Sequence, residues 1–186
     1  MDNSSVIQPY LSLMDEQRRE IFVLLESVDP ILIWQRPAPK NWSLGENLDH
    51  SWRALRSFRH LFMGAWILLS PIGRLRQDRS YPTEIDDVYA RPGFPLNVGW
   101  MWSPKHTPSR PVALSVLRQE MEAEHKQVRQ FIESKSEAVL GNTPLYDPAI
   151  GWMNFIEALR VGIYHDAHHF ANIERILESL STKFIE

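Results

Sequence analysis

The sequence predicts an all-α protein, a single domain over residues 1–186 built as a four-helix bundle. Apolar residues recur at helical spacing in four long segments, and very little of the chain has the alternating pattern of a strand. The chain has 186 residues, of which 44% are apolar, enough for one core of ordinary size. Four long helices of similar length favour a bundle among the all-α folds.

The first helix is predicted to run from about Pro9 to Glu26. Its apolar residues are spaced at helical intervals, and the dipeptide Asp29-Pro30 stops it. A proline-rich connection over residues 29–41 follows. Because this connection is moderate in length, the first two helices are expected to pack antiparallel.

The second helix has the clearest start signal in the chain. Ser43 and Glu46 have the spacing of a capping box, in which each side chain binds a backbone N–H group of the other residue. The helix is predicted to end near Ser70, before a proline. Residues 61–69 are apolar on every side of this helix, so we expect the long following loop or a second subunit to cover them. A homodimer is therefore expected.

Residues 71–110 are rich in proline and show no sustained period, which predicts a long loop between helices two and three. A connection of this length in a compact domain is usually a lid or a binding loop. Trp100 and Trp102 indicate that the loop packs on the bundle, and whether either faces the functional site is the open question. Most of the other tryptophans are interpreted as core anchors or subunit contacts, although they could line an apolar pocket: Trp34, Trp42, Trp66 and Trp152.

The third and fourth helices are predicted from proline-containing start signals. The third begins near Ser109, with a proline in its first turn. The fourth begins at Asp147-Pro148, as an N-cap followed by a first-turn proline, and runs to about Leu180. The connection over residues 136–146 is short enough to make these two helices antiparallel neighbours, whereas helices two and three can run parallel.

Composition excludes several classes of function. The chain has no cysteine, so a disulfide framework, a thiolate-bound metal and a cysteine nucleophile are all impossible. A net charge of −3 and the lack of a basic stripe argue against nucleic acid as a partner. The start of the chain does not resemble a secretory signal, and no apolar run is long enough to span a membrane. A cytoplasmic protein is expected.

The most informative residues are the seven histidines. His165 and His169 are four apart in a predicted helix, so their imidazoles lie one turn apart on one face and can hold one metal ion. At about 100° per residue, His168 falls toward the charged side of this helix and is interpreted as a rim residue. Small residues on the face of His165 leave room for a pocket, although close helix packing explains them equally well: Gly151, Ala158 and Gly162.

Two further histidines compete for the place of a third ligand. His50 lies at the edge of the apolar stripe of the second helix, whereas His60 lies on its solvated side. His125 shares a face with apolar residues of the third helix and is the alternative third or fourth ligand. A structural histidine, hydrogen-bonded in the core, is the competing interpretation of either residue. His106 is interpreted as a bystander. The apolar stripe of the second helix consists of Leu44, Leu48, Leu55, Phe58 and Phe62.

Two segments carry a family resemblance. The stretch WSLGENLDH over residues 42–50, preceded by Arg36-Pro37, resembles the "rP…WSi.Ei..H" signature of the DinB/YfiT-like superfamily. The pattern of His165, His169, Asn172 and Ile173 resembles the "H…H..qI" helix near the C-terminus of that family, with Asn in place of a common Gln. The order and separation of the segments, together with four helices, extend the similarity over nearly the whole chain.

The resemblance implies a four-helix bundle in up-down-down-up order and a divalent metal, nickel or zinc, held by three histidines. The matching positions are His50, His165 and His169. Three neutral imidazoles would leave positions open for water or substrate. Acidic residues near the ligands would orient the imidazoles, and Glu46 and Asp166 are candidates, although capping explains Glu46 more simply.

The family resemblance implies an enzyme that acts on a small molecule, either a hydrolase or an S-transferase that uses a low-molecular-weight thiol. In the transferase the sulfur would arrive with the substrate, because the chain has no cysteine. No catalytic acid or base can be assigned from the sequence. Two other hypotheses remain: a non-catalytic bundle that binds a metal or a small apolar ligand, and a bundle whose histidines serve only structure.

Overall fold

Four long helices form the framework of the protein, whose computed structural model describes residues 5–94 and 102–183, with side chains to residue 180. Shorter elements lie between them. In chain order the elements are α1 (Ile7–Glu26), α2 (Pro30–Ile33), α3 (Leu44–Leu75), a single 3-10 turn (Val88–Ala90), α4 (Leu114–Glu133), α5 (Glu137–Asn142), β1 (Pro144–Asp147), β2 (Gly151–Asn154) and α6 (Phe155–Lys183).

The core consists of two apolar clusters that divide each long helix into halves. One cluster joins the first halves of α1 and α6 to the later halves of α3 and α4. The other joins the later halves of α1 and α6 to the first halves of α3 and α4, and adds Ile33 and Trp34. The helix faces in these clusters bury leucine, isoleucine, methionine and phenylalanine, and this burial is the largest favourable contribution to folding.

The long helices do not pack as their connections predict. Helices joined by a short connection are expected to be the closest neighbours. Among the described residues, α3 packs mainly on α4 and α6, and α1 packs mainly on α6 and less on α4. Contact between α1 and α3, or between α4 and α6, is slighter. The predicted antiparallel neighbours are therefore not the closest pairs.

The end of α3 extends beyond its predicted position. The helix continues through Pro71 to Leu75 rather than ending near Ser70. Pro71 is exposed, so water can reach the carbonyl group that loses its helical partner. The last turn is also held by close packing, since a Cβ atom on Gly73 would lie 2.6 Å from a backbone oxygen of α5.

The predicted start of the fourth helix at Asp147-Pro148 is wrong. Residues 144–154 form an antiparallel hairpin instead, with Pro144 opposite Asn154. Asp147 Oδ1 accepts two backbone N–H groups of the turn, at 2.8 and 3.1 Å, which is why Asp-Pro resembles a helix cap there. The true start is at Asn154, whose Oδ1 accepts the backbone N–H groups of Ile156 and Glu157. Gly151, with φ of +101°, belongs to this hairpin and not to the helix face predicted for it.

The third helix begins five residues later than predicted. Residues 107–110 form a tight turn in which Arg110 N donates to Thr107 O at 2.8 Å, so Ser109 is not in a helix. The helix itself starts at Leu114. The connection predicted over residues 136–146 contains α5 and most of β1.

The stretch of the long connection over residues 83–90 lies against α1 and α6. Tyr10 donates to Thr83 O at 2.8 Å and Tyr164 donates to Ile85 O at 3.2 Å, so residues 83–85 are held on the bundle by side chains of both helices. Trp100 lies outside the described residues. The apolar residues Leu61, Ile67 and Leu68 of α3 stay 63–77% exposed, so no described part of the loop covers them. None of the described helices is long and apolar enough to cross a membrane.

Candidate metal centre

The fold brings together three histidines that are far apart in the sequence. His50 comes from the first half of α3, and His165 and His169 come from the middle of α6. One ring nitrogen of each lies within 4.8 Å of the other two, close enough that the group could hold one metal ion. Their ring centroids are 4.5 to 5.3 Å apart. We call these three residues the histidine group.

The helix start that presents His50 is strongly fixed. Ser43 Oγ accepts Glu46 N at 3.2 Å, and Glu46 Oε2 accepts Ser43 N at 2.9 Å, which confirms the predicted capping box. Arg36 donates to both oxygens of Glu46. Burial opposes ionisation of Glu46, but Arg36 and the Ser43 N–H outweigh it and lower the pKa of this carboxyl. Glu46 therefore caps the helix, and the arginine of the sequence motif serves the same cap.

Two imidazoles of the histidine group are oriented by neutral oxygen atoms. His50 Nδ1 donates to the carbonyl oxygen of Trp102 at 3.0 Å, and His169 Nδ1 donates to Asn47 Oδ1 at 3.2 Å. Asn172 Nδ2 donates to the same oxygen at 3.0 Å. Because a carbonyl oxygen only accepts, the hydrogen-bond network assigns the proton of each ring to Nδ1 and leaves the Nε2 lone pair free.

Asp166 orients the third imidazole. Its Oδ1 lies 3.3 Å from His165 Nδ1, so this ring too can keep its proton on Nδ1. His125 Nε2 lies 3.4 Å from Asp166 Oδ2, an ion-pair distance without hydrogen-bond geometry. Burial opposes the charge of Asp166, but the two imidazoles lower its pKa to about 2. His125 therefore lies beside Asp166, outside the histidine group.

Two imidazoles of the histidine group, those of His50 and His169, are neutral at ordinary pH. Burial, reinforced by the neighbouring His165, lowers the pKa of His50 to about 4. Burial and the other imidazoles lower the pKa of His169 to about 2. A neutral imidazole is the form that binds a metal ion, so no proton needs to be removed from either ring before binding.

Aromatic rings lie against the histidine group. The ring of Trp42 lies 4.7 Å from that of His50 and 6.2 Å from that of His169, measured between centroids. The ring of Trp102 packs instead on Phe58, at 4.9 Å, while its backbone carbonyl faces the group. Three other tryptophans lie away from the histidine group. Trp34 and Trp66 are buried in the core, and Trp152 is 75% exposed.

Tyr89 is a site residue that no sequence motif indicates. Its ring lies 5.7 Å from that of His165 and 5.6 Å from that of His168. Burial, together with the charge of Asp166, raises its pKa, so the phenol stays protonated. No local pattern marks this residue, because the 3-10 turn that carries it is placed by contacts with α6. His168 is half-buried at the edge of the group, and His60 is exposed, as expected.

A second group of titratable residues has a structural role. Asp49 is buried and accepts Lys105 N and His106 Nδ1, each at 2.6 Å. Glu120 lies close enough to Asp49 and His106 for the three to be considered metal ligands. Both oxygens of Asp49 are already used on the loop, however, so we assign this group to holding the loop whose Trp102 carbonyl reaches the histidine group. His106 is therefore not a bystander.

An apolar cavity opens beside His165. Ala158 and Gly162 line it, and a Cβ atom on Gly162 would meet no atom within 4 Å, which agrees with the room predicted on this face. In the apolar stripe of α3, Leu44 and Leu48 are buried in the core. The other three stripe residues are only half-buried because they line the cavity: Leu55, Phe58 and Phe62.

Comparisons with known proteins agree with this fold. A sequence profile of the DinB superfamily matches residues 13–173. Among solved structures, the chain is similar to YfiT from Bacillus subtilis, described as a probable metal-dependent hydrolase with an unusual four-helix bundle topology. The TM-score is 0.61 at 14% identity, over 97% of this chain and 92% of that one. No curated protein matches. Because the profile covers most of the sequence, the chain belongs to the DinB superfamily.

Proposed function

We propose that the protein is a metal-dependent enzyme whose centre is a divalent cation, nickel or zinc, held by His50, His165 and His169. One observation carries the proposal. Each imidazole has an oxygen acceptor at Nδ1, and one ring nitrogen of each lies within 4.8 Å of the others. Such acceptors are the partners that orient metal-binding histidines in known sites.

The residues present fit such an ion. Two of the imidazoles have lowered pKa values and are neutral, and nitrogen ligands suit nickel and zinc. A divalent cation bound there would supply Lewis-acid activation of a water, a substrate thiol or a carbonyl group. Asp166 supplies a fixed negative charge beside His165, and the rings of Trp42 and Tyr89 lie against His50 and His165. No residue is assigned as a general base.

The reaction class is proposed as hydrolysis or thiol S-transfer. The description of YfiT favours hydrolysis. In an S-transferase a low-molecular-weight thiol would be the sulfur source, because the chain has no cysteine. The metal-loaded protein should be assayed against activated esters and amides, and against small thiols paired with an electrophile, with His50→Ala as the control.

The outcomes separate the functions. Turnover that needs the metal and is lost in His50→Ala supports the enzyme, and the panel that reacts identifies the class. Bound metal without turnover on either panel favours a non-catalytic bundle that binds a metal or a small ligand. If the histidine group binds no metal, the three histidines serve only the structure of the bundle.

The topology is part of the proposal. The composition of the two core clusters supports an up-down-down-up order. The same cluster contains the first halves of α3 and α4 and the later halves of α1 and α6, so α3 and α4 run opposite to α1 and α6. A single domain over residues 1–186 is supported by these clusters, because each draws on all four long helices.

A further inference from the structure

The apolar cavity beside the histidine group has a volume of about 80 Å³. It runs into the core between α3, α4 and α6 and is lined at one end by His165, Asp166 and Tyr89. The cavity therefore adjoins one of the three imidazoles directly. Its apolar walls include Leu55, Phe58, Phe62, Phe131, Met153 and Phe155.

The charged side chains that line the cavity are engaged within the protein. Arg59 Nε donates to the buried carboxylate of Glu124 at 2.7 Å. Asp147 accepts two backbone N–H groups of its own turn. Asp166 lies between two imidazoles, one of them His165. A charged ligand group entering the cavity would lose its hydration without gaining one of these partners, so the walls favour an uncharged occupant.

The size of the cavity limits its occupant. An apolar protein cavity of about 150 Å³ is known to bind benzene, so a volume near half of that suits a short alkyl group. Aromatic side chains form several of the walls, whereas Gly162 contributes no side chain on the α6 side.

We propose that this cavity binds the apolar part of the substrate, and that the substrate class is uncharged compounds with a short alkyl group next to the reacting atom. The inference rests on the proposed metal centre for the reaction, but not for the binding. With the alkyl group in the cavity, the reacting atom would lie at the end formed by His165, beside the histidine group.

The test fills the cavity from its open side. Gly162→Leu places a leucine where a Cβ atom meets nothing within 4 Å, so we expect the bundle to accept it. Gly64→Leu is the matched control, because Gly64 also has open space around its Cβ position but is exposed on α3, outside the cavity lining. Thermal unfolding and bound metal are measured for both variants to show that each is folded.

Two probes report on the cavity of the full-length protein, as purified and again after metal removal. Xenon, which enters apolar cavities, is located by crystallography under gas pressure. Isovaleramide and isovalerate have the same branched alkyl group but differ in charge, and their dissociation constants are measured by ligand-observed NMR. We expect the amide to bind more tightly than the carboxylate by about tenfold or more in the metal-free protein, because the anion pays for desolvation.

The expected result is xenon between α3, α4 and α6 in the wild type and in Gly64→Leu, and no xenon there in Gly162→Leu, with loss of amide binding in that variant alone. Equal binding of amide and carboxylate, or amide binding that survives Gly162→Leu, would overturn the proposal. If metal is bound in full while both probes fail, the cavity proposal is wrong and the metal centre stands. If both probes bind but the protein binds no metal, the metal centre is wrong and the cavity proposal stands.

Discussion

Each histidine of the group repeats one pattern, an oxygen acceptor at Nδ1 and a free lone pair on the other side of the ring. The three histidines themselves could be predicted, because their spacing and the family signature are readable in the sequence. Their acceptors could not be predicted. Asn47 and the Trp102 carbonyl reach the imidazoles only after α3, α6 and the loop have packed together. His125 shows the limit, since its helical face did not reveal that it lies beside Asp166.

Replacing Asn47 should weaken metal binding. Asn47→Ala removes the acceptor that orients His169, and the loss of such a partner typically lowers metal affinity by about 10- to 100-fold. Competition with a coloured chelator measures the affinity. Asn142→Ala is the control, because that side chain bonds only backbone oxygens away from the site. Unchanged affinity in a folded Asn47→Ala protein would show that Asn47 does not orient a ligand.

Acid should destabilise the metal-free protein. Burial, with His165 nearby, lowers the pKa of His50 to about 4 in the folded state, whereas an unfolded histidine has a pKa of about 6.5. Between these values the unfolded chain binds a proton that the folded chain does not. The free energy of unfolding should therefore fall as the pH falls through this window, by as much as about 3 kcal/mol from His50.

Thermal unfolding of the metal-free protein between pH 7 and pH 4 tests this dependence. His50→Gln should show a flatter profile, while His60→Gln should keep the wild-type slope because His60 is exposed. Identical slopes in all three proteins would mean that His50 is not held neutral by the fold.

At the scale of elements, local sequence signals predict the presence of the long helices better than the residues at which they begin and end. The capping box of Ser43 and Glu46 marks the start of α3 correctly, because all its interactions lie within four residues. Asp147 and Asn154 both form capping-type hydrogen bonds, but only the second begins a helix. The difference is decided by the pairing of β1 with β2, which a pattern of single residues does not contain.

Two glycines of α3 should respond oppositely to alanine. A Cβ atom on Gly45 would lie 2.9 Å from the ring of Trp34, which is buried and bonded to Val112 O. Gly45→Ala should therefore cost about 1–3 kcal/mol through overpacking. Gly64 has open space, so Gly64→Ala should stabilise by about 0.5–1 kcal/mol through helix propensity. Chemical denaturation measures both; a stabilising Gly45→Ala would contradict the close contact with Trp34.

At the scale of the whole molecule, the family and the four-helix framework could be predicted, while the arrangement of the helices required long-range contacts. The exposed apolar residues of α3 are a feature that the bundle leaves unexplained. Leu61, Leu68 and Leu75 are spaced by seven residues and are 63–87% exposed. Residues seven apart lie on nearly the same side of a helix, so they form one apolar row.

We propose that this row packs against a second copy of the chain. Leu68→Glu should then shift a dimer to a monomer, because it places a charge in an apolar contact. Sedimentation at several concentrations measures the change. Val23→Glu is the control, since Val23 is 61% exposed on α1, away from the row. A wild-type protein that is monomeric at every concentration would exclude the dimer.

The most direct test of the metal centre is the metal content of protein purified without a histidine tag. Elemental analysis should find one nickel or zinc ion per chain in the wild type and in the exposed control His60→Ala. His50→Ala and His165→Ala should each lose it, because two imidazoles hold an ion far more weakly than three. Substoichiometric metal that neither substitution changes would contradict the account.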